Sequence, residues 1–177
     1  MRFKKFVGKK CYLSPIDPDD LAIYAEWLND MEILMNLQIY SELTSLDDEN
    51  RLLESFTKSP FYSIIDLETD ELIGNCGFTV LEVVNRRAET GIFIGNKSFW
   101  NKGYGTEALS LLIDYGFRAF NLHNIMVDVN EDNKGAIRCY EKNGFKHIGI
   151  RREALHRNLE ILNIVFMDLL KDDFYKK

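Results

Sequence analysis

The chain has 177 residues, of which 46% are hydrophobic and 12% aromatic, and its formal net charge is −6. This aromatic content excludes an intrinsically disordered chain, and the apolar runs are shorter than the ~20 residues that span a bilayer. The acidic balance, without a basic stripe in the sequence, argues against a nucleic-acid binder. We therefore expect one globular domain over residues 1–177, with neither nucleic acid nor membrane as a partner.

The cysteines and histidines point to a reducing compartment and to a protein without a metal. Cys11, Cys76 and Cys139 are odd in number and widely spaced, which favours free, buried or half-buried thiols. The histidines show no ligand-like spacing with cysteines or carboxylates, so we expect no metal site. The basic N-terminus lacks the apolar stretch of a signal peptide, and we expect a cytoplasmic protein.

The first half of the chain is predicted to change from helices to strands. Residues 10–16 are extended, and a helix over residues 21–28 follows, because apolar side chains recur there at i, i+3, i+4 and i+7. A second helix is predicted over residues 46–57, whereas residues 31–43 give no readable pattern. Three strands are then predicted, and their short connecting turns favour antiparallel pairing: residues 61–66, 71–81 and 88–95.

The second half adds a crossover unit. A polar loop over residues 96–105 precedes a helix from Thr106 to about Phe120, and a strand over residues 125–129 follows, parallel to residues 88–95 if the crossover is right-handed. A shorter helix, residues 133–143, ends at Gly144 in a left-handed cap, and two closing strands follow over residues 145–153 and 159–169. The elements together predict an α+β fold, a mixed but mostly antiparallel sheet flanked by helices.

The loop before the long helix has the features of an anion site. Gly103 and Gly105 let the backbone turn tightly, and the helix that begins at once directs its unpaired N–H groups and positive dipole end to the same place. Thr106 adds a hydroxyl group and Lys102 a positive charge. This pattern favours a phosphate or pyrophosphate ligand, although two glycines can also serve only to start a helix.

A dinucleotide-binding fingerprint is a competing interpretation. Gly103, Gly105 and Ala108 match G-x-G-x-x-A, and Asp128 follows 20 residues after Ala108 at the end of a strand. Against it, residues 96–102 separate the preceding strand from the glycines, and few residues remain for further parallel strands. A P-loop is excluded because no Gly-Lys-Ser/Thr follows.

Two separate motifs carry a resemblance to a known family. Residues 100–108 and 133–145 resemble the acetyl-CoA-binding half of the GNAT superfamily of N-acetyltransferases. Residues 13–17 and 26–30 resemble its RimJ/RimL-like branch, and residues 86–89 and 113–117 are similar to spermidine N-acetyltransferases. The sequence departs from the superfamily at Trp100 and Ser14, where an Arg or Gln and an Arg are common, so we transfer no contact of those side chains.

The resemblance implies the GNAT fold and acetyl-CoA as co-substrate, with no metal. It implies that Lys102 and the N–H groups of residues 103–106 hold the pyrophosphate. The strand over residues 92–94 would contact the pantetheine arm, together with the start of the second helix. The implied cofactor-binding residues are Ile92, Phe93, Ile94, Lys102, Gly103, Tyr104, Gly105, Thr106, Asn133, Ala136 and Tyr140.

The same resemblance implies direct attack of an amine on the thioester. Tyr140 would protonate the departing thiolate, and the alternative is simple core packing. Glu89 would act as general base through a water molecule, and the alternative is a surface carboxylate opposite Arg86 or Arg87. Asn163, on the last strand, is a further candidate to face the acceptor.

A general base is needed because an amine at neutral pH must lose a proton before it attacks. A non-catalytic CoA-binding module, acting as a sensor or interaction domain, is the alternative to an enzyme. Acceptors of the family range from protein N-termini through polyamines to amino sugars, and the acidic charge is compatible with a cationic amine. Residues 31–43 and 154–159 would line the acceptor pocket. The protein would be a monomer or a homodimer.

Overall fold

The sheet and helices alternate along the chain in the order that the sequence predicts. A computed structural model describes residues 2–38 and 60–176. Within these ranges the strands are β1 (Phe6–Val7), β2 (Cys11–Pro15), β3 (Phe61–Asp66), β4 (Leu72–Glu82), β5 (Arg87–Ile94), β6 (Asn124–Asn130), β7 (Lys146–Arg157) and β8 (Glu160–Leu170). The α-helices are α1 (Leu21–Leu28), α2 (Met31–Leu34), α3 (Tyr104–Ala119), α4 (Lys134–Asn143) and α5 (Lys171–Tyr175).

The strands of the described ranges form one eight-stranded sheet in the order β1-β2-β3-β4-β5-β6-β8-β7. Every neighbouring pair is antiparallel except β5 and β6, which are parallel. The long helix α3 makes the crossover between these two parallel strands. The mixed, mostly antiparallel α+β architecture is therefore confirmed.

The parallel junction is much shorter than the sequence suggests. Parallel pairing joins only Arg87–Glu89 to Asn124–Met126, so the prediction that residues 125–129 pair along residues 88–95 is right in direction and wrong in extent. Beyond these pairs, β5 and β6 run on to Ile94 and Asn130 without pairing to each other. A register shift in β4 between Phe78 and Val80 lies opposite this point, and such a bulge bends a strand and increases its twist.

Helices cover both faces of the sheet. The apolar side of α3 is fully buried against the larger core cluster, as its 3.6-residue period predicts: Leu109, Leu112, Ile113 and Phe117. The same cluster contains the alternate β6 residues Ile125, Val127 and Val129, so α3 and α4 lie on this face. On the other face, Tyr24 of α1 packs in a second cluster with Trp27 and Phe93.

The boundaries of the elements differ from prediction where caps and short elements decide them. Helix α3 begins at Tyr104 rather than Thr106, because Gly103 adopts a left-handed φ of 86° and serves as its N-cap. Strand β7 runs to Arg157 and forms a hairpin with β8. Helix α2 lies in the stretch without a readable pattern, and β1 and α5 are too short to show a period. The predicted helix over residues 46–57 lies outside the described residues.

None of the helices in the described ranges has the length and apolar content needed to cross a bilayer. The cysteines behave as the sequence predicts: Cys11 and Cys76 are buried free thiols, and Cys139 is a half-buried one.

Candidate active site

The loop that leads into α3 is fixed at both ends. The indole N–H of Trp100 donates to the carbonyl oxygen of Ile94 at 2.8 Å, and the hydroxyl of Tyr104 donates to Asp66 at 2.7 Å. The bond to Asp66 raises the pKa of Tyr104 to about 12, so this phenol stays protonated at neutral pH. The side chain of Tyr104 thus anchors the loop to the β3–β4 turn, and only its backbone N–H remains for a ligand at the helix start.

Gly105 lies where three elements meet. A Cβ atom built on Gly105 would lie 3.6 Å from Ile92, 3.7 Å from Ile94 and 3.8 Å from the sulfur of Cys139. These are ordinary van der Waals distances, and Gly105 sits in the first turn of α3 without a positive φ. Neither packing nor backbone conformation therefore requires glycine here. A ligand that passes between β5, α3 and α4 would explain it.

Side-chain contacts connect α3 and α4 beside Gly105. The Asn143 side chain donates to the carbonyl oxygens of Thr106 at 3.1 Å and Cys139 at 3.0 Å, and the Thr106 hydroxyl contacts the Cys139 sulfur at 3.7 Å. The structure thus brings the predicted residues Gly105, Thr106, Ile92 and Ile94 to one place. Phe93 is different, since its ring lies on the opposite face, 5.8 Å from Trp27.

Asn133 caps α4 rather than projecting freely. Its side-chain oxygen accepts from the N–H of Ala136 at 3.0 Å, and its amide donates to the carbonyl oxygen of Asn36 at 3.3 Å. Ala136 is half-buried against the core, next to the cap. The helix accordingly begins at Lys134, one residue later than predicted, and any ligand contact of Asn133 must share its amide with Asn36.

Tyr140 is a buried phenol. Its side chain is 4% exposed and its ring packs against Phe145 with 5.5 Å between the centroids. Burial raises the pKa of Tyr140, and the neighbouring acidic groups Cys139 and Asp128 raise it further. Among the described residues, its hydroxyl has no hydrogen-bond partner. The predicted alternative of core packing is thus observed for the ring, while the protonated hydroxyl remains available to a ligand.

Glu89 lies at the point where β5 and β6 separate. It forms the last parallel pair, with Met126, and by alternation it faces away from α3. Arg87 pairs with Glu82 at 2.7 Å, and Arg86 donates to Asn121 at 2.8 Å. Both arginines thus have other hydrogen-bond partners, and Glu89 adds less than Glu82 to the raised pKa of Arg87, so the base role of Glu89 stays a prediction.

Asp128 is a residue of this region that the sequence analysis considered only as part of a dinucleotide fingerprint. It lies on the half of β6 that does not pair with β5, on the same face as Glu89, and accepts a 2.8 Å hydrogen bond from Gln38. Alternation along β6 could have placed it there, because the buried residues Ile125, Val127 and Val129 assign Asp128 to the other face. Asn163, by contrast, is engaged by Glu131 at 2.9 Å and by the N–H of Glu153 at 2.8 Å.

Positive charge collects at the start of α3. The ammonium group of Lys10 donates to the carbonyl oxygen of Lys102 at 2.7 Å and would lie 3.7 Å from a Cβ atom on Gly103. The Glu107 carboxylate turns away, accepting from the N–H groups of Lys10 at 2.7 Å and Cys11 at 3.3 Å. An open groove of about 670 Å³ runs along this end of the helix, and its charged lining residues are Lys9, Lys142 and Glu107. The local charge therefore suits an anion although the chain is acidic.

The described residues contain no group of three His, Cys, Asp or Glu side chains that could hold a metal ion. The absence of a metal from the whole protein stays a prediction.

Comparison with known proteins identifies the family. Residues 10–146 match the acetyltransferase (GNAT) domain. The chain belongs to the GNAT acetyltransferase family. The N-acetyltransferase p20 of Bacillus licheniformis is 29% identical to this GNAT acetyltransferase over 167 residues, which are 92% of this chain and 93% of p20.

Solved structures agree with the fold of this GNAT acetyltransferase. The spermidine N-acetyltransferase of Vibrio cholerae, in complex with CoA and spermine, superposes with a TM-score of 0.85 at 23% identity, over 95% of this chain and 99% of that one. The ribosomal L7/L12 acetyltransferase RimL, in complex with CoA, gives a TM-score of 0.81 at 16% identity, over 94% and 97% of the two chains. A sheet with one parallel strand pair also excludes the doubly wound, dinucleotide-binding alternative.

Proposed function

We propose that this GNAT acetyltransferase transfers the acetyl group of acetyl-CoA to a primary amine on a small molecule or peptide. The observation that carries the proposal is the gap between β5 and β6, which opens beside Gly105, where neither packing nor φ requires glycine. A thioester arm that enters between these strands would reach both faces of the sheet. The anionic part of the same molecule would lie at the start of α3.

The residues present fit acetyl-CoA as co-substrate. The N–H groups of residues 103–106 and the charge of Lys102 would hold the pyrophosphate at the helix N-terminus. The backbone of residues 92–94 does not pair with β6 and would bind the pantetheine amides. Asn133 and Ala136 would contact the arm from the start of α4, and Tyr140 would lie beside the sulfur.

Acetyl-CoA supplies the activated thioester, and the protein supplies orientation and proton transfer. Glu89 would remove a proton from the ammonium group of the acceptor through a bridging water. The amine nitrogen would then bond to the acetyl carbon, the carbon–sulfur bond would break with its electron pair on sulfur, and the nitrogen would release its second proton to solvent. Tyr140 would donate its proton to the departing thiolate, which its raised pKa permits because the phenol is protonated at neutral pH.

A cationic amine is the acceptor that the charges favour. Glu89 and Asp128 lie on the face opposite the cofactor-binding helices, next to the gap, and the chain as a whole carries a net charge of −6. The Vibrio cholerae enzyme with the same fold is a spermidine N-acetyltransferase. We therefore rank a polyamine-like acceptor above a peptide N-terminus or an amino sugar.

An amine panel with free-thiol detection tests the function. Polyamines, peptide amines and amino sugars are each mixed with acetyl-CoA and the protein, and at least one should give thiol release above the rate without protein. Glu89→Gln should slow that release, whereas Asp172→Asn, an exposed carboxylate on α5, should not. A thermal shift with acetyl-CoA but no turnover on any amine would instead support the non-catalytic CoA-binding module.

The cellular setting of the enzyme is also a proposal. The free cysteines fit a reducing, cytoplasmic compartment. We propose a single catalytic domain over residues 1–177 that acts as a monomer or a homodimer.

A further inference from the structure

A short segment after α2 is held by its backbone to the rest of the enzyme. We call residues 35–38 the strap. Successive carbonyl oxygens of the strap accept hydrogen bonds from three side chains: Met35 from Arg157, Asn36 from Asn133 at 3.3 Å, and Leu37 from Asn130 at 3.5 Å. Gln38 adds the bond to Asp128. Such a series fixes the path of a segment that has no regular secondary structure of its own.

The strap lies at the acceptor side of the gap. Its partners Asp128 and Asn130 belong to the half of β6 that does not pair with β5, and both lie on the face away from α3 and α4. Its partner Asn133 caps α4, on the side proposed for the cofactor. An amine that approaches the thioester from the face opposite the cofactor-binding helices would therefore pass the strap.

Arg157 joins the strap to the cofactor side. It is the last residue of β7 and is only 2% exposed. Its guanidinium donates to the Met35 carbonyl oxygen and also pairs with the carboxylate of Asp132, the residue directly before Asn133. Its Nε is buried and has no partner within the described ranges. A buried guanidinium with an unsatisfied N–H adds little to the stability of the fold, because burying an unpaired donor costs free energy. Hydrophobic side chains often replace buried ion pairs without loss of stability.

We propose that Arg157 is a positioning residue for the acceptor amine. It holds the strap against the loop at Asp132, so that the wall of the acceptor pocket is ordered before the amine arrives. This inference rests on the proposed function, because it names the part of the same site that receives the amine. Arg157 also joins the two predicted parts of the acceptor pocket where the structure describes them, because it belongs to residues 154–159 and contacts Met35 of the strap.

Steady-state kinetics of Arg157→Met test the proposal. A strap that is no longer held should raise the KM for the amine at least about tenfold while the KM for acetyl-CoA changes less than about twofold, because the lost interaction acts on acceptor binding. Arg157→Lys keeps a donor for one of the two partners and should give an intermediate KM. Arg151→Met, which removes an exposed arginine from the same strand, is the matched control and should match the wild type.

Amide hydrogen exchange without substrates gives an independent readout. Backbone amides of residues 31–38 should exchange faster in Arg157→Met than in Arg151→Met, while those of α3 remain unchanged. If Arg157→Met does not fold, the same comparison is made with Arg157→Lys. An unchanged amine KM, or an equal rise of both KM values, would overturn the inference. Absence of turnover in the wild type would instead contradict the proposed function, whatever the exchange shows.

Discussion

The two residues proposed for proton transfer lie on opposite faces of the sheet. Tyr140 is buried in the core beside α3, whereas Glu89 faces the strap side at the end of the strand pairing. Only a substrate that passes through the gap between β5 and β6 can contact both. A substrate in the gap would therefore meet the proposed acid from one face and the proposed base from the other.

Removal of the Tyr140 hydroxyl should affect turnover rather than affinity. We expect Tyr140→Phe to lower kcat by about 10²-fold or more, the usual contribution of general acid catalysis, while the KM for acetyl-CoA changes little. The raised pKa of the phenol keeps it protonated near pH 7, so its titration should not shape the rate profile at neutral pH. Tyr62→Phe, on β3 in the same core cluster, is the control and should retain full turnover. Equal rates in the two variants would remove the acid role.

Residue types and spacing could predict some of these residues and not others. Gly103, Gly105 and Thr106 stand out because they are adjacent in sequence and precede a periodic helix. Asp128 and Arg157 do not, since their importance arises from contacts with residues 38 and 35, about a hundred positions away. The sequence does not distinguish a buried arginine from an exposed one, because only the fold shows which guanidinium group is removed from solvent.

Among the elements, α3 combines strong periodicity with a start that the sequence alone misplaces. Its buried face follows the 3.6-residue period, which is set by hydrophobic burial and is readable in the sequence. Its first residue depends on the left-handed conformation of Gly103, which the tertiary structure decides rather than the local sequence. The gap between β5 and β6 begins opposite a bulge in a third strand, β4, and no local pattern in either parallel strand predicts it.

Substitution of Gly105 separates a role in folding from a role in binding. Gly105→Ala should stabilise the fold by up to ~1 kcal/mol, because alanine is the better helix former and its methyl group has room between Ile92, Ile94 and Cys139. The same methyl group would occupy the space proposed for the cofactor, so we expect the Kd for CoA to rise at least tenfold (about 1.4 kcal/mol). Thermal unfolding and calorimetric titration measure the two effects.

Gly135→Ala serves as the control for this experiment. A Cβ atom on Gly135 would contact only the Asn133 oxygen at 3.7 Å, and the residue likewise lies in the first turn of a helix, α4. It should gain stability without an equal loss of affinity. If Gly105→Ala binds CoA as tightly as the wild type, the assignment of this loop to the cofactor is wrong.

At the scale of the whole molecule, the net charge and the local charge have opposite signs. The chain carries a formal charge of −6, yet lysines gather at the start of α3 and the nearby Glu107 carboxylate is turned into the β1–β2 turn. Interactions of exposed charges are screened over about 8 Å at physiological ionic strength, so an approaching anion responds mainly to the nearby lysines. By the same local effect, the nearby carboxylates of Glu89 and Asp128 would favour a cationic acceptor.

Salt should therefore weaken the binding of both substrates. We expect the KM for acetyl-CoA to rise with ionic strength in spite of the acidic chain, and the KM for a polyamine to rise as well. Lys10→Gln should raise the KM for acetyl-CoA and flatten its dependence on salt, whereas Lys176→Gln, an exposed lysine beyond α5, should change neither. A KM for acetyl-CoA that falls as salt is added would show that the net charge outweighs the lysines.

The short parallel junction also has a mechanical consequence. It divides the sheet into two half-sheets, β1 to β5 and β6 to β8, which share a seam of only three residue pairs. Beyond these three pairs, the packing of helices holds the two half-sheets together in place of backbone hydrogen bonds between strands. A ligand bound in the gap would contact both half-sheets and hold them together. The free energy of unfolding would then be highest when the ligand is bound, and the concentration and affinity of the ligand would set the size of the increase.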